Sequence, residues 1–280
     1  MLAVVLALGT SVAYGVSNFL GPQLSRRHPV AAVLVIGQVA ALAGAAVLVL
    51  ASGDAVPPAA AVGFGALAGA GNVLGLAAFY RGAQLAPVSI VAAVGATGTG
   101  LPVLVGLARG EALGPLEAVG IVLAVAGAVL AAAGSRSGSE GAFPEELAGI
   151  TWAGISAIGF GALLVFLPEA ADDGTPWALL DARVVVVALL VAGVLLLGAP
   201  VAVPAREAPP LAVPGLLLLA ATPLYAEAAA RGRLSVVSVL ASLATVVTVG
   251  LAHVVLGERL APLQRAGVAL AVAGTILLAV

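Results

Sequence analysis

The run Leu123-Ala124-Val125-Ala126-Gly127 returns letter for letter as Leu270-Ala271-Val272-Ala273-Gly274, 147 residues further along the chain. In the same register Gly120 matches Gly267. Just upstream, Gly110-Glu111-Ala112-Leu113-Gly114-Pro115-Leu116 is answered by Gly257-Glu258-Arg259-Leu260-Ala261-Pro262-Leu263. Apolar helices of biased composition match one another by chance, but a shared polar break at the same offset does not follow from bias. Self-similarity of this kind marks a duplicated architecture. The chain therefore reads as two copies, residues 1–134 and 147–280, joined by a linker at 135–146.

Both copies are too apolar for water. Of 280 residues, 62% are hydrophobic and 9% charged, and the mean hydropathy is +1.22, so polar residues are too few to cover a soluble globule of this size. A membrane-spanning helix needs about 20 mostly apolar residues. Such stretches follow one another here, interrupted at 25–29, 52–58, 81–87, 109–115, 134–146, 168–176, 200–210, 231–235 and 257–262. Proline, glycine and charge gather at these breaks, because the first two end helices and the third is costly in hydrocarbon. Nine breaks give ten spans, the first of them beginning at Leu2 without a basic leader and read as a span, not a cleaved signal.

Each copy holds five spans. An odd number forces a second copy, threaded directly after the first, to enter the membrane with opposite polarity. The expected fold is an all-α integral membrane protein of ten transmembrane helices arranged as two inverted five-helix repeats. Proteins of this design hold a site near the bilayer midplane and expose it to either side in turn.

Composition also excludes chemistries. The chain has no cysteine, so neither disulfides nor thiolate metal sites are available. Net charge is −2, with eleven cations, all arginine, and no basic run for nucleic acid. No metalloprotease, phosphate-loop or nucleophile-elbow motif occurs, and Asp172-Asp173 falls in a break. The expectation is a protein that is not an enzyme and needs no metal or other cofactor.

Ionisable groups inside a span are functional candidates by default. Arg183 lies about two turns inside the seventh span, and Glu227 about one turn before the end of the eighth. Adjacent antiparallel spans bring these ends to one face, so an ion pair is geometrically available. In one reading Arg183 binds an anionic group of a substrate and Glu227 acts as a proton site; in the other, both side chains snorkel to the interface and anchor helix ends. Asp181 reads as a solvated end charge. His253, near the end of the ninth span, is a second proton-coupling candidate, against the alternative of a hydrogen-bonded packing residue.

Uncharged polar residues mark where a pathway runs: Tyr14, Ser17 and Asn18 in the first span, Gln38 in the second, Asn72 in the third, Trp152 and Ser156 in the sixth, Tyr225 in the eighth. The candidate substrate-binding set is Tyr14, Asn18, Gln38, Asn72, Trp152, Arg183, Tyr225 and Glu227; interhelical hydrogen bonding is the competing role. Hydroxyls at Thr97, Thr99, Ser242, Thr245 and Thr248 carry less weight, since each can bond its own helix. Gly65 with Gly69, and Gly71 with Gly75, predict close helix packing. Gly95, Gly98, Gly100 and Pro102 predict either a break in the fourth span or a tight crossing there.

Ten spans with Gly257-Glu258-Arg259-Leu260 before the last, echoed by Gly110-Glu111-Ala112-Leu113, resemble the EamA family of the drug/metabolite transporter superfamily. Arg183 matches an arginine common in that family's seventh helix, and Gln38 falls near the corresponding place in the first half. The resemblance implies export or exchange of small metabolites, such as amino-acid-like or other small polar or amphipathic compounds. It implies a multi-pass protein of a bacterial cytoplasmic (inner) membrane, with a cavity between the halves and protons or a counter-substrate as coupling partners. Glu-Pro pairs frequent in the family's fourth and ninth helices are replaced here by Gly98 with Pro102 and by Ala244-Thr245, which loosens any transfer of substrate. On orientation the signals differ: counting arginines at the breaks puts the N-terminus outside, whereas the family pattern puts both termini in the cytoplasm. Alternatives within and beyond the class are a carrier of lipid head groups or lipid-linked sugars, and a non-transporting membrane scaffold or enzyme.

Overall fold

The computed structural model describes residues 2–108, 114–134, 143–172, 174–231 and 243–278. Gly110–Leu113 of the repeated break, Arg109, Arg136, Asp173, Arg233 and Ser242 lie outside them. Among the described residues there is helix and no strand. The helices are α1 (Leu2–Ser25), α2 (Val30–Ser52), α3 (Ala59–Leu85), α4 (Val88–Ala96), α5 (Gly100–Ala108), α6 (Pro115–Gly134), α7 (Phe143–Ala171), α8 (Thr175–Leu197), α9 (Ala208–Arg231), α10 (Ala244–Leu256) and α11 (Pro262–Leu278).

Among the described residues six segments are long and apolar enough to cross a membrane: α1, α2, α3, α8, Pro144–Ala171 of α7, and Ala205–Tyr225, which holds most of α9. Shorter apolar stretches lie in α6, α10 and α11. Large aliphatic side chains stand exposed along these rods, Leu50, Leu196 and Leu197 among them. Lipid tails give such side chains the apolar surroundings that water would not.

α4 and α5 are joined by a 3-10 turn, Thr97–Thr99, through which the backbone stays right-handed, so the two run on as one rod with a tightened middle. Gly98 lies against the Ala157 carbonyl of α7, where a Cβ would overlap it. Of the two alternatives the tight crossing is present, and in place of a break the rod narrows to a 3-10 turn whose bare glycine touches its neighbour.

Small residues govern the other crossings as their spacing predicts. A Cβ on Gly71 would come within 2.8 Å of the Gly159 carbonyl of α7, and one on Gly69 within 2.5 Å of the Ala182 carbonyl of α8. Gly37 of α2 and Gly215 of α9 meet backbone to backbone. Lipid offers no hydrophobic drive for helices to associate, so close backbone approach and the dispersion contacts it permits hold such crossings. Across α1 and α9, Ser17 donates to the Pro214 carbonyl at 2.8 Å, and Thr10 approaches the Ala221 carbonyl at 3.4 Å. The rising number on one helix against the falling number on the other makes that crossing antiparallel.

The order of contacts has a pattern. α3 packs along α7 as α9 packs along α1; α2 meets α9 as α8 meets α3; and α4 meets α7 as α10 meets α1. Three further pairs in contact are α2 with α8, α4 with α10 and α6 with α11. In the last pair, a Cβ on Gly127 would come within 2.6 Å of the Gly267 carbonyl and overlap the Ala271 amide; one on Gly274 would come within 2.6 Å of the Gly120 carbonyl and overlap the Ala124 amide.

Candidate functional site

At one end of the bundle the loops are stitched together. Arg26, after α1, donates through Nη2 to the Ala83 carbonyl of α3 at 2.9 Å, and Gln84 returns a bond to the Ser25 carbonyl at 2.8 Å. His28 lies 3.5 Å from Glu207, at the entry to α9. Glu258, between α10 and α11, reaches the start of α4: its carboxylate accepts from the Val88 amide (2.9 Å), the Ser89 amide (3.2 Å) and the Ser89 hydroxyl (2.7 Å). The first amides of a helix have no partners inside it and carry partial positive charge, so a carboxylate there both fills the vacancies and meets a favourable field.

Around the middle of the bundle the helices part around a cavity of about 310 Å³. Tyr14 and Asn18 of α1, Asn72 of α3, and Arg183 of α8 supply its polar wall, with Thr222 of α9 and Thr245 and Thr248 of α10. Tyr14 and Asn18 are four residues apart and share one face of α1, while Ser17 turns away to α9. The Tyr14 hydroxyl bonds the Thr222 hydroxyl at 3.1 Å. Thr248 shares its proton between the Ala244 carbonyl of its own helix (3.0 Å) and the Gly15 carbonyl of α1 (3.1 Å). Most of the remaining wall is apolar, including Leu76, Phe79, Phe160 and Leu163. Phe79 and Phe160 stand tilted with ring centroids 6.3 Å apart, a favoured aromatic geometry.

Arg183 is 6% exposed and Gln38, opposite it on α2, 2%. The Arg183 Nη1 donates to Gln38 Oε1 at 2.6 Å. Gln38 is thus not itself part of the cavity wall; it fixes the guanidinium from behind. Ser156, also buried, sets an unpaired hydroxyl beside Gly95 of the cavity wall.

Of the expected substrate set, Tyr14, Asn18, Asn72 and Arg183 come together at the cavity, with Gln38 in support. Trp152 does not join them: it is 37% exposed on α7. Tyr225 packs on the small cluster of Ala7 and Ala228. The anticipated Arg183–Glu227 ion pair is not formed. Glu227 pairs instead with Arg231 one turn along α9, on the exposed surface, because an (i, i+4) partner on the same helix is always within reach. His253 is exposed, its Nδ1 3.0 Å from the Glu258 carbonyl, a contact that holds the turn after α10. Asp181 lies against Gly65 of α3. Sequence reasoning passed over Phe79, Phe160 and Thr222, and it undervalued Thr245 and Thr248. The aromatic pair gives no signal of its own among so many apolar residues.

Fold and cavity define a polytopic helical membrane protein with an internal, partly polar chamber. The sequence profile of the EamA-like transporter family matches residues 147–280, and this part of the chain is similar to that family. One solved crystal structure of a protein shares the fold, with a TM-score of 0.66 at 19% identity over 98% of this chain and 95% of that one. No curated protein matches the chain.

Proposed function

We propose that the chain is a secondary transporter moving a small metabolite across a bacterial cytoplasmic membrane by alternating access. Its ten spans form two inverted five-helix repeats, with α1, α2, α3, the α4–α5 rod and α6 in the first and α7 to α11 in the second. Support for the inversion comes from α6 and α11, whose contacts pair rising with falling residue numbers: counterpart helices of two copies with the same polarity would run parallel.

The observation that carries the reading is the cavity. Residues of both halves line it, a buried arginine opens onto it, and at one end of the bundle Glu258, Arg26 and His28 tie the loops together. That is the arrangement expected of one access state. The opposite state needs the Glu258 contact to α4 to part and the far end to close. A scaffold has no use for a buried cation facing a chamber, and the family is one of transporters, which disfavours an enzyme. Export is the direction the family suggests, with a proton gradient or exchange as the drive.

The test is flux through purified protein in proteoliposomes, against a panel of metabolites, with and without a pH gradient. Saturable movement of one chemical class, absent from protein-free vesicles, is expected. Passive leakage alone for every solute rules the reading out. Dependence on the pH gradient or on solute inside the vesicle then assigns the coupling.

A further inference from the structure

We infer that the cavity selects an organic monoanion, a carboxylate on a small and largely apolar body, and gives no counter-charge to an amine. The inference rests on the carrier reading and names its substrate class.

A guanidinium offers five N–H donors in a planar fork and keeps its charge at any physiological pH. In Arg183 one donor is used on Gln38, whose amide is neutral. Among the described residues, no aspartate or glutamate lines the cavity. Of the carboxylates that sequence places nearest, Glu227 pairs with Arg231 and Asp181 sits against Gly65 of α3. A buried charge without a partner is costly, and removing its counter-ion is what makes such sites unstable. The missing partner belongs to the ligand. A carboxylate fits the fork with two parallel bonds, which adds orientation to charge.

The rest of the chamber describes the rest of the ligand. Leu76, Phe79, Phe160, Leu163, Leu179 and Leu218 form an apolar surround, which suits a ring or branched chain. At about 310 Å³ the space is at the small end of ligand pockets, which run from about 300 to 1,000 Å³. One cation balances one negative charge, so a dianionic phosphate would bring an uncompensated charge into apolar surroundings. An ammonium group would find amide and hydroxyl oxygens from Asn18, Asn72 and Tyr14, but no carboxylate.

The experiment measures binding, not flux. Purified full-length protein in detergent is titrated calorimetrically, and its thermal unfolding followed, with 3-phenylpropionate, 4-methylpentanoate, 3-phenylpropanamide, phenylalanine, phenethylamine and inorganic phosphate. We expect the phenyl acid to bind at least about tenfold tighter than its amide, as for other hydrogen bonds to a charged partner. Phenylalanine should bind more weakly than the acid, and phosphate and phenethylamine not at all. Two variants extend the test. Gln38→Glu places a carboxylate beside Arg183 and should abolish the preference for the acid while keeping the fold; Arg183→Gln should abolish it by removing the cation. The wild-type comparison of acid with amide stands even if Arg183→Gln fails to fold.

An amide that binds as well as its acid, phenylalanine or phosphate binding more tightly, retention of the preference in Gln38→Glu, or no binding of either carboxylate overturns the inference. A protein that binds the acids but moves no solute in vesicles would leave it standing and remove the carrier reading; one that moves solutes without preferring acids would do the reverse.

Discussion

Gly127 and Gly274 each lie on the backbone of the helix that carries the other, Gly127 against Gly267 and Ala271, Gly274 against Gly120 and Ala124. The two occurrences of the five-letter repeat thus touch each other. The two contacts are reciprocal, residue for residue, at the offset of 147 that separates the copies.

A side chain at either glycine must push α6 and α11 apart. Gly127→Val and Gly274→Val are each expected to lower stability by about 1–3 kcal/mol or more, the usual cost of overpacking, and by similar amounts. Gly154→Ala is the control: a Cβ there meets nothing within 4 Å, and the change should be neutral or slightly stabilising. Thermal unfolding of the purified variants measures all three. Equal stability of Gly127→Val and wild type would refute the seam.

Glu258→Ala strips the start of α4 of its acceptor. Loss of a capping side chain costs about 0.5–2 kcal/mol, and a drop in melting temperature should report it. The chain has no native cysteine, so a single Cys in place of Ala92, a cavity-lining residue, gives a clean reporter. Its labelling by a membrane-impermeant maleimide from the stitched end should accelerate when Glu258 is Ala; an unchanged rate would mean that this contact does not hold that end shut.

Glu227→Gln removes one member of an exposed (i, i+4) pair worth about 0.2–0.5 kcal/mol. Stability and affinity for the phenyl acid should therefore stay at wild-type values. A Glu227→Gln variant that lost pH-dependent flux would restore the proton-site role that its position on the surface of α9 argues against.

Tyr14→Phe keeps the ring at the cavity wall but deletes the bond to Thr222. About 0.5–1.5 kcal/mol of stability should go with it, the net worth of a typical hydrogen bond. Unfolding midpoints of Tyr14→Phe, Thr222→Val and the double variant form a cycle that isolates the pair; strictly additive losses would show that the two hydroxyls do not interact.

Hydropathy alone located the long apolar rods, because the cost of charge in hydrocarbon writes itself into every span. It also picked out Arg183, since a cation well inside a span is rare enough to stand out. The partner was beyond reach: Gln38 had been matched to Arg183 as its counterpart in the other half, but that counterparts touch follows only once α2 and α8 are seen to cross. Glu227 and His253 were misleading for a local reason. Near a helix end, a charged or aromatic polar group has its own turn to bond with, Arg231 in one case and the carbonyl of Glu258 in the other. Glu258 itself was visible as a motif letter, yet its role depends on α4 beginning with amides that need an acceptor from far along the chain.

The α6–α11 seam has a bearing on ancestry. A contact in which Gly120, Ala124 and Gly127 meet Gly267, Ala271 and Gly274 is self-complementary, the kind that a two-fold homodimer makes from one patch used twice. On the inverted-repeat reading proposed above, a half-length chain bearing that patch would already pair with its own copy in opposite membrane polarity. Fusing two genes would then have joined an existing assembly without inventing any new surface, leaving Gln38 and Arg183 free to diverge.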